Sequence, residues 1–211
     1  MKPFYQRTGV SLKKPVIERI EGIHPFKMIN YLLISVTCLL NAVICFFFIK
    51  HLAFTLDGNF DFILPKFFTV STILLIASVY FTSRVLDAYK SDNISYLRKL
   101  LSYTLISGLL FFIAQSISWM ELLIQEVNFE DNHITTFVFT FSAIHLTFVL
   151  VGMIASGILF YKYMLIENDP VKTLIVATNP VEKVKLEVYK VFWHFNVLSW
   201  TMIFLMFLFI F

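Results

Sequence analysis

Five apolar runs, each close to the length that crosses a bilayer, dominate this chain of 211 residues. A helix needs about 20 consecutive apolar residues to cross the hydrocarbon core. No water is present there to satisfy free backbone groups, so each run is predicted to be helical. We therefore expect an all-α polytopic membrane protein with five transmembrane helices. The predicted spans are residues 26–49, 62–83, 97–123, 134–159 and 189–211.

The composition agrees with a membrane protein. Charged residues make up only 15% of the chain, whereas a soluble domain carries about 25%. The net charge of +3 therefore reports on the loops between spans and does not point to nucleic acid as a partner. Cys38 and Cys45 lie seven residues apart within the first span, a spacing that excludes a disulfide inside one helix and that we interpret as packing.

Basic residues alternate in number between the segments outside the spans. From the N-terminus the counts are 6, 2, 4, 0, 5 and 0, so fifteen of the seventeen lie on one side. Because basic loops stay in the cytoplasm, the N-terminus is predicted to be cytoplasmic and the C-terminus outside. Residues 1–25 then form a basic cytoplasmic segment before the transmembrane domain of residues 26–211. This segment has no apolar stretch of the kind that a cleavable signal peptide requires.

Two connections between the predicted spans have a distinctive composition. The loop at 121–133 has four acidic residues and no basic one, which suits a solvated loop or a docking patch for a basic partner such as a soluble cytochrome c. The connection at 162–190 contains a short β-branched stretch, residues 172–178, between two proline turns. We expect that stretch to form a small strand or to lie against the cytoplasmic face of a partner. The acidic residues of the first loop are Glu121, Glu126, Glu130 and Asp131.

The predicted spans contain almost no ionisable side chains. Only His145 and His194 lie clearly at membrane depth, whereas an ion pump or a proton-coupled transporter usually carries buried charged residues. The sequence has no paired histidines for haem, no metal-binding helix, no phosphate-binding loop and no nucleophile elbow. We therefore predict that this chain has no catalytic residue and binds no metal or other cofactor by itself.

His145 has two interpretations. As a structural group it hydrogen-bonds a neighbouring helix, and as a functional group it relays protons or binds a ligand. Gly152 and Ser156 share its helix face and allow close approach of another helix, so the structural interpretation fits its setting better. Trp193 and His194 fall near the cytoplasmic end of the last span, where they suit an interfacial lipid contact or an interhelical hydrogen bond.

Four spans carry polar and aromatic residues in a recognisable order. The second span reads TVSTILLIAS at residues 69–78, and the fourth reads SAIH at 142–145, followed by Val149 and Gly152. The third span has its own series, and the fifth has Glu187, the string FWHFN at 192–196, and Trp200. The series of the third span is Gly108, Phe111, Gln115 and Trp119. A set that differs by one residue, Gly108, Phe112, Gln115 and Trp119, lies on one face of the predicted helix.

These motifs resemble those of subunit III of the haem-copper terminal oxidases, in its short bacterial form with five helices. The resemblance implies a non-catalytic subunit of a respiratory oxidase of the cytochrome c oxidase type, in a bacterial cytoplasmic membrane. Haems and copper are then expected in the partner subunits I and II, and phospholipids in a cleft between the first two helices and the other three. A larger respiratory supercomplex is a further candidate partner.

The resemblance also suggests which residues have structural or lipid-contact roles. Three basic residues at the ends of the hairpin between the second and third spans are candidates for headgroup contacts, or else report only the topology. The candidates are Gln115, Trp119, His145, Glu187, Trp193 and His194, together with the basic residues Arg84, Arg98 and Lys99.

Four departures from the family pattern remove or neutralise an ionisable group. The first span has Ser35-Val36 where the family commonly has a buried glutamate. Elsewhere Ser118, Phe148 and Asn196 stand where the family has Glu, His and Asp. These changes favour a role in helix packing, lipid binding and support of the catalytic subunit over a role in proton handling.

Two other functions remain open at this point. The accessory subunit of a nitric oxide reductase shares the five-helix pattern. A free-standing membrane transporter is a more distant alternative, since it requires a polar path through the bundle and the spans contain no charged residue at their centres.

Overall fold

The structure is a computed structural model that describes residues 24–54, 64–124 and 133–210. These residues form six helices and no strand. All but one of the helices are long and apolar enough to cross a membrane, so the predicted all-α chain with five membrane-compatible helices is confirmed. The helices are α1 (Pro25–Phe54), α2 (Lys66–Lys90), α3 (Ile94–Ile124), α4 (His133–Ile166), α5 (Pro170–Thr178) and α6 (Pro180–Ile210). The segment 1–23 and the acidic residues Glu126, Glu130 and Asp131 lie outside the described residues.

Helix α2 continues to Lys90, seven residues past its predicted span, and α4 and α6 also extend well past theirs. Helix α4 continues to Ile166 and helix α6 already begins at Pro180. Apolar runs mark only the part of a helix that fits the hydrocarbon core, whereas these extensions contain charged residues that pair with one another. Lys162 of α4 forms an ion pair with Glu182 of α6, and Lys185 lies 2.9 Å from the same carboxylate.

The short helix α5 corrects the expectation of a strand at residues 172–178. The side chain of Asp169 accepts hydrogen bonds from the backbone N–H groups of Val171 and Lys172, at 3.1 and 3.2 Å, and Pro170 occupies the first helical position. An Asp cap followed by proline starts a helix strongly enough to override the strand preference of β-branched residues. The hydrogen bond from the Lys172 backbone, together with that residue's ammonium, holds the pKa of Asp169 below its ordinary value.

Four helices form a closed ring, and α1 lies outside it. Helix α2 packs against α3 and α6, and α4 packs against the same two helices. Helix α1 packs mainly against α6 and makes only a small contact with α4. Only 11% of its most apolar window is buried, compared with 33–39% for the other four spans. The ring therefore has a packed interior, while most of α1 is exposed.

Helix α1 runs parallel to α6 in a constant register. The amide of Asn30 donates to the carbonyl of Val188, and the amide of Asn41 donates to Ser199 Oγ, each across 158 residues. Near the start of both helices, Lys27 pairs with Glu187 at 2.6 Å. These contacts are spread along both helices, so one side of α1 is attached to α6 over much of its length.

The expected division of the bundle into two helices and three is wrong. Helix α2 belongs to the ring, because its small hydroxyl residues accept hydrogen bonds from two tryptophans of α6. The open space instead lies between α1 and the ring. An apolar groove lined by α1, α4 and α6 is found in place of the cleft that was expected between the first two helices and the other three.

The antiparallel packing of α2 with α3, and of α4 with α6, gathers the described basic residues at one end of the bundle. That end holds the N-terminal ends of α1, α3 and α6 and the C-terminal ends of α2 and α4. At the opposite end the described basic residues are Lys50 and Lys66. We call the first the basic end. Its ten basic residues are Lys27, Arg84, Lys90, Arg98, Lys99, Lys162, Lys172, Lys183, Lys185 and Lys190.

Tyr89 holds α5 against the ring. Its hydroxyl donates to the carbonyls of Val176 and Asn179, at 2.9 and 3.0 Å, and its side chain is buried. We expect Tyr89→Phe to destabilise this contact by about 0.5–1.5 kcal/mol, the net value of a typical hydrogen bond. Hydrogen exchange followed by mass spectrometry should show faster exchange in α5 and unchanged exchange in the centres of α2 and α3. Tyr96→Phe, at a more exposed position, is the control, and equal exchange in the two variants would contradict the prediction.

Candidate functional site

Trp193 fills a notch that three other helices form. Its indole N–H donates to Ser78 Oγ of α2 at 2.8 Å, and the residue is only 1% exposed. A Cβ added to Gly152 of α4 would lie 2.9 Å from Trp193 Cε3, and one added to Gly108 of α3 would lie 3.2 Å from Trp193 Cη2. Because neither glycine has a side chain, the Trp193 ring fits against α3 at Gly108 and against α4 at Gly152. Trp193 makes an interhelical contact in the bundle and does not face the lipid.

Trp200 lies two turns further along α6 and organises a second layer. Its indole N–H donates to Thr72 Oγ1 at 2.9 Å, and its ring stacks between Phe68 and His145, with centroid distances of 5.8 and 4.9 Å. Phe111 meets the Trp200 ring edge-on at 5.7 Å. Stacked and edge-on aromatic pairs each add to stability beyond the area they bury. This layer therefore joins α2, α3, α4 and α6 at one level.

His145 is held as a structural group in that layer. Its Nε2 lies 3.0 Å from the carbonyl oxygen of Asn196, which only accepts, so Nε2 carries the proton and donates. The residue is 3% exposed. Its hydrogen bond to α6 is the interhelical contact that the structural interpretation anticipated.

Gln115 and Trp119 join α3 to its two neighbours. Gln115 is fully buried, and its Oε1 accepts a hydrogen bond from Ser71 of α2 at 3.3 Å. Trp119 is half-buried and donates to Ser142 Oγ of α4 at 2.9 Å. The most buried aromatic residue of this helix is Phe111, whereas Phe112 is half-buried. The buried face of α3 is therefore rotated slightly from the face that the sequence motif suggests.

The remaining candidate residues lie at the basic end. His194 is half-buried, with Nε2 at 3.2 Å from Ser83 Oγ of α2. Glu187 pairs with Lys27 of α1, and Arg98 pairs with Glu167 at the end of α4, each at 2.6 Å. The side chain of Arg84 lies over the ring of Tyr80, with its guanidinium carbon 4.7 Å from the centroid, and Lys99 is exposed. Of the three basic hairpin residues, Arg84 and Lys99 are therefore the more accessible, since Arg98 is committed to an ion pair.

An apolar groove separates α1 from α4 and α6. It has a volume of about 370 Å³ and a lining that is almost entirely apolar. Helix α1 contributes Ile29 and Leu33, and helix α4 contributes Ala155 and Ile158. Polar groups occur in its lining near the basic end, where Asn30 and Lys185 lie. A long apolar slot with a cation at one end suits an acyl chain whose anionic headgroup lies at the membrane surface.

A second cavity borders the groove on the polar side. It has a volume of about 310 Å³, and its lining combines apolar side chains with the charged residues Lys27, Glu187 and Lys190. Asn30 and Val188 line both spaces. The cavity with charged residues and the apolar groove are therefore neighbours at the basic end of α1. The headgroup and the acyl chain of a lipid are joined in the same order.

The sequence motifs missed the residues that line this groove. One signal was present: Asn30 and Asn41 lie eleven residues apart in α1, which places them on one helix face. Both amides bond to α6, because an amide inside an apolar span is costly without a partner. That face therefore marks the edge along which α1 is attached, and the groove opens beside it.

The comparisons with known proteins add no family. No family model matches the sequence, and a search of the curated proteins finds no match. Within the described residues, no three side chains of His, Cys, Asp or Glu lie close enough together to hold a metal ion.

Proposed function

We propose that this chain is a non-catalytic subunit III of a bacterial haem-copper terminal oxidase, of the cytochrome c oxidase type. The observation that supports this most directly is the convergence of the residues that carry the resemblance. Gln115, His145, Trp193 and Trp200 come from three different spans and are all buried in the ring. They serve as helix contacts, as expected of a subunit that supports a partner and does no chemistry of its own.

The groove supports the lipid part of this proposal. In the proposed role, α1 and the ring hold the acyl chain of a phospholipid, and its headgroup lies at the cytoplasmic surface beside the cavity that Lys27 and Lys190 line. The haems and copper of the oxygen reaction belong to subunits I and II. The lipid then fills the space between α1 and the ring and keeps the outer face of the bundle complementary to the catalytic subunit.

The first experiment tests for the complex. A C-terminally tagged chain is extracted in a mild detergent and purified, and a reduced-minus-oxidised optical spectrum is recorded with mass spectrometry of the co-purifying chains. We expect an a-type or o-type haem signal with large co-purifying subunits. A b- and c-type signal without those subunits would favour a nitric oxide reductase, and a colourless, partnerless protein would refute both and leave a transporter to be tested in liposomes.

Filling the groove should expel the lipid. Ala155 lines the groove, whereas Ala77 is exposed on the outer face of α2. We expect Ala155→Phe to reduce the phospholipid that co-purifies with the chain, because the new ring occupies the apolar slot, and Ala77→Phe to leave it unchanged. The measurement is lipid extraction and mass spectrometry, normalised to protein. Equal lipid content in the two variants would show that the groove is not the lipid site.

A further inference from the structure

Among the residues that the structure describes, a third cavity is lined by α1 and α6 alone. It has a volume of about 280 Å³. Its lining includes both cysteines of the chain and two of its seven methionines, so four of its ten lining residues carry sulfur. These four are Cys38, Cys45, Met202 and Met206. Sulfur is therefore concentrated in this cavity well beyond its share of the sequence.

The parallel register of the two helices sets the heights of these residues. The hydrogen bond from Asn41 to Ser199 joins α1 and α6 at one level. From that level Cys45 lies four residues further along α1, a rise of roughly 6 Å. Met202 and Met206 lie roughly 4.5 and 10.5 Å further along α6, one turn apart and on the same face. Cys45 therefore lies at a height between the two methionines.

Cys38 does not belong to this group. It precedes Cys45 by seven residues in the same helix, which separates the two by roughly 10.5 Å along the axis. An ion bound to both thiols would have to span that distance with two metal–sulfur bonds of about 2.3 Å each. We call the remaining three residues, Cys45, Met202 and Met206, the sulfur cluster.

Two residues of the sulfur cluster pack against the core, and the third faces outward. Cys45 and Met206 are half-buried and contact the hydrophobic core. Met202 is 60% exposed, and the unbranched side chain of methionine adapts readily to its surroundings. Lys50 lies only five residues beyond Cys45, a rise of roughly 7.5 Å. The cluster is therefore near the end of the bundle opposite the basic end, and an ion has a short path to it from that surface.

The chemistry of these ligands selects the ion. Thiolate and thioether sulfurs are soft ligands, which favour Cu(I) over harder cations. The position of the cluster on apolar helices adds a condition on charge, since a net charge inside a membrane is costly. One thiolate and two neutral thioethers neutralise a monovalent ion, whereas a divalent ion such as Zn²⁺ would leave one positive charge. Cu(I) satisfies both conditions.

We propose that the sulfur cluster binds one Cu(I) ion. On binding, the Cys45 thiol releases its proton to water and the thiolate bonds to the ion, which keeps its oxidation state. The thioether sulfurs of Met202 and Met206 complete a three-coordinate site. The sequence prediction that this chain binds no metal rested on ligand spacing within single helices, whereas this set of ligands forms across two. The inference does not depend on the proposed function.

Anaerobic titration of the purified full chain with Cu(I) tests the site. The chain carries a tag without histidines, and the chelator bicinchoninate, whose Cu(I) complex is coloured, competes for the ion in detergent solution. We expect one Cu(I) per chain to be withheld from the chelator. X-ray absorption at the copper edge should then show sulfur as the only neighbouring element. No withheld Cu(I), or a first shell of nitrogen or oxygen, would overturn the inference.

Conservative variants identify the ligands. Cys45→Ser keeps the size of the side chain but replaces the soft sulfur, and we expect it to weaken Cu(I) binding by about a hundredfold. Met202→Leu and Met206→Leu keep the packing. Each should weaken binding by at least the roughly tenfold that loss of an outer contact to a metal site costs. Circular dichroism should show the same helix content in all of these variants, and unchanged Cu(I) binding in the folded variants would refute the site.

Two matched controls and one competing ion complete the test. Cys38→Ser and Met120→Leu, at exposed positions outside the sulfur cluster, should leave Cu(I) binding unchanged. Equal weakening by Cys38→Ser and Cys45→Ser would mean that any thiol of the chain binds the ion, which contradicts a built site. Excess Zn²⁺ should not displace Cu(I), and displacement would refute the choice of a soft monovalent ion.

Discussion

Trp200→Ala should lower the free energy of unfolding by about 3–5 kcal/mol, the usual cost of removing a buried tryptophan. The side chain is fully buried, and it contacts Phe68, Phe111 and His145 while donating to Thr72. In a membrane, van der Waals packing and interhelical hydrogen bonds supply most of the attraction between helices. Removal of this ring therefore empties the layer that joins four helices.

Unfolding of the purified chain by SDS in mixed micelles, followed by circular dichroism, measures this loss. Trp200→Phe keeps most of the ring contacts and should cost about 1 kcal/mol, the value of the lost hydrogen bond. Leu198→Ala, on the exposed side of α6, is the control and should have little effect. A loss for Trp200→Ala no larger than that for Leu198→Ala would mean that this layer does not hold the bundle together.

Gly152→Ala should destabilise the bundle, although alanine is the better helix former. The new methyl group would lie 2.9 and 3.0 Å from two carbons of the Trp193 ring. Trp193 is buried and its N–H is bonded to Ser78, so the ring has little room to move away. Overpacking of this kind costs about 1–3 kcal/mol.

Gly157 provides the matched control for that substitution. It lies in the same helix, and no atom lies within 4 Å of a Cβ placed there. Gly157→Ala should therefore stabilise the chain by about 0.5–1 kcal/mol through helix propensity alone. The same SDS titration should give opposite signs for the two glycines. Adding Trp193→Phe to Gly152→Ala should recover part of the loss, and two effects of the same sign would contradict the notch around Trp193.

The spans were predictable because hydrocarbon admits few alternatives. Apolar length alone located five helices, and the spacing of His145, Gly152 and Ser156 correctly placed them on one face toward the bundle. Gly152 meets Trp193, and Ser156 donates to the carbonyl of Leu101 at 3.2 Å. The spacing of residues along a helix indicates which side of the helix is buried. The buried face of α4 could therefore be predicted from the sequence.

The partners of each helix were not predictable in the same way. The contact between Asn41 and Ser199 spans 158 residues, and nothing in the local sequence specifies it. The separation of α1 from the ring, and hence the groove, depends on how side-chain shapes fit between helices. Helix α5 was a different case, since Asp169 and Pro170 did signal a helix start, but the β-branched residues after them favoured a strand on local propensity.

The parallel attachment of α1 to α6 has a consequence for biosynthesis. Helix α1 leaves the ribosome before its main partner α6, which is made about 158 residues later. At a synthesis rate of roughly 5–20 residues per second, the delay is of the order of ten seconds or more. Throughout that interval the two asparagines of α1 lack their final acceptors. Helix α6 also closes the ring through Trp193 and Trp200, so the two layers that these residues organise form only after α6 has inserted.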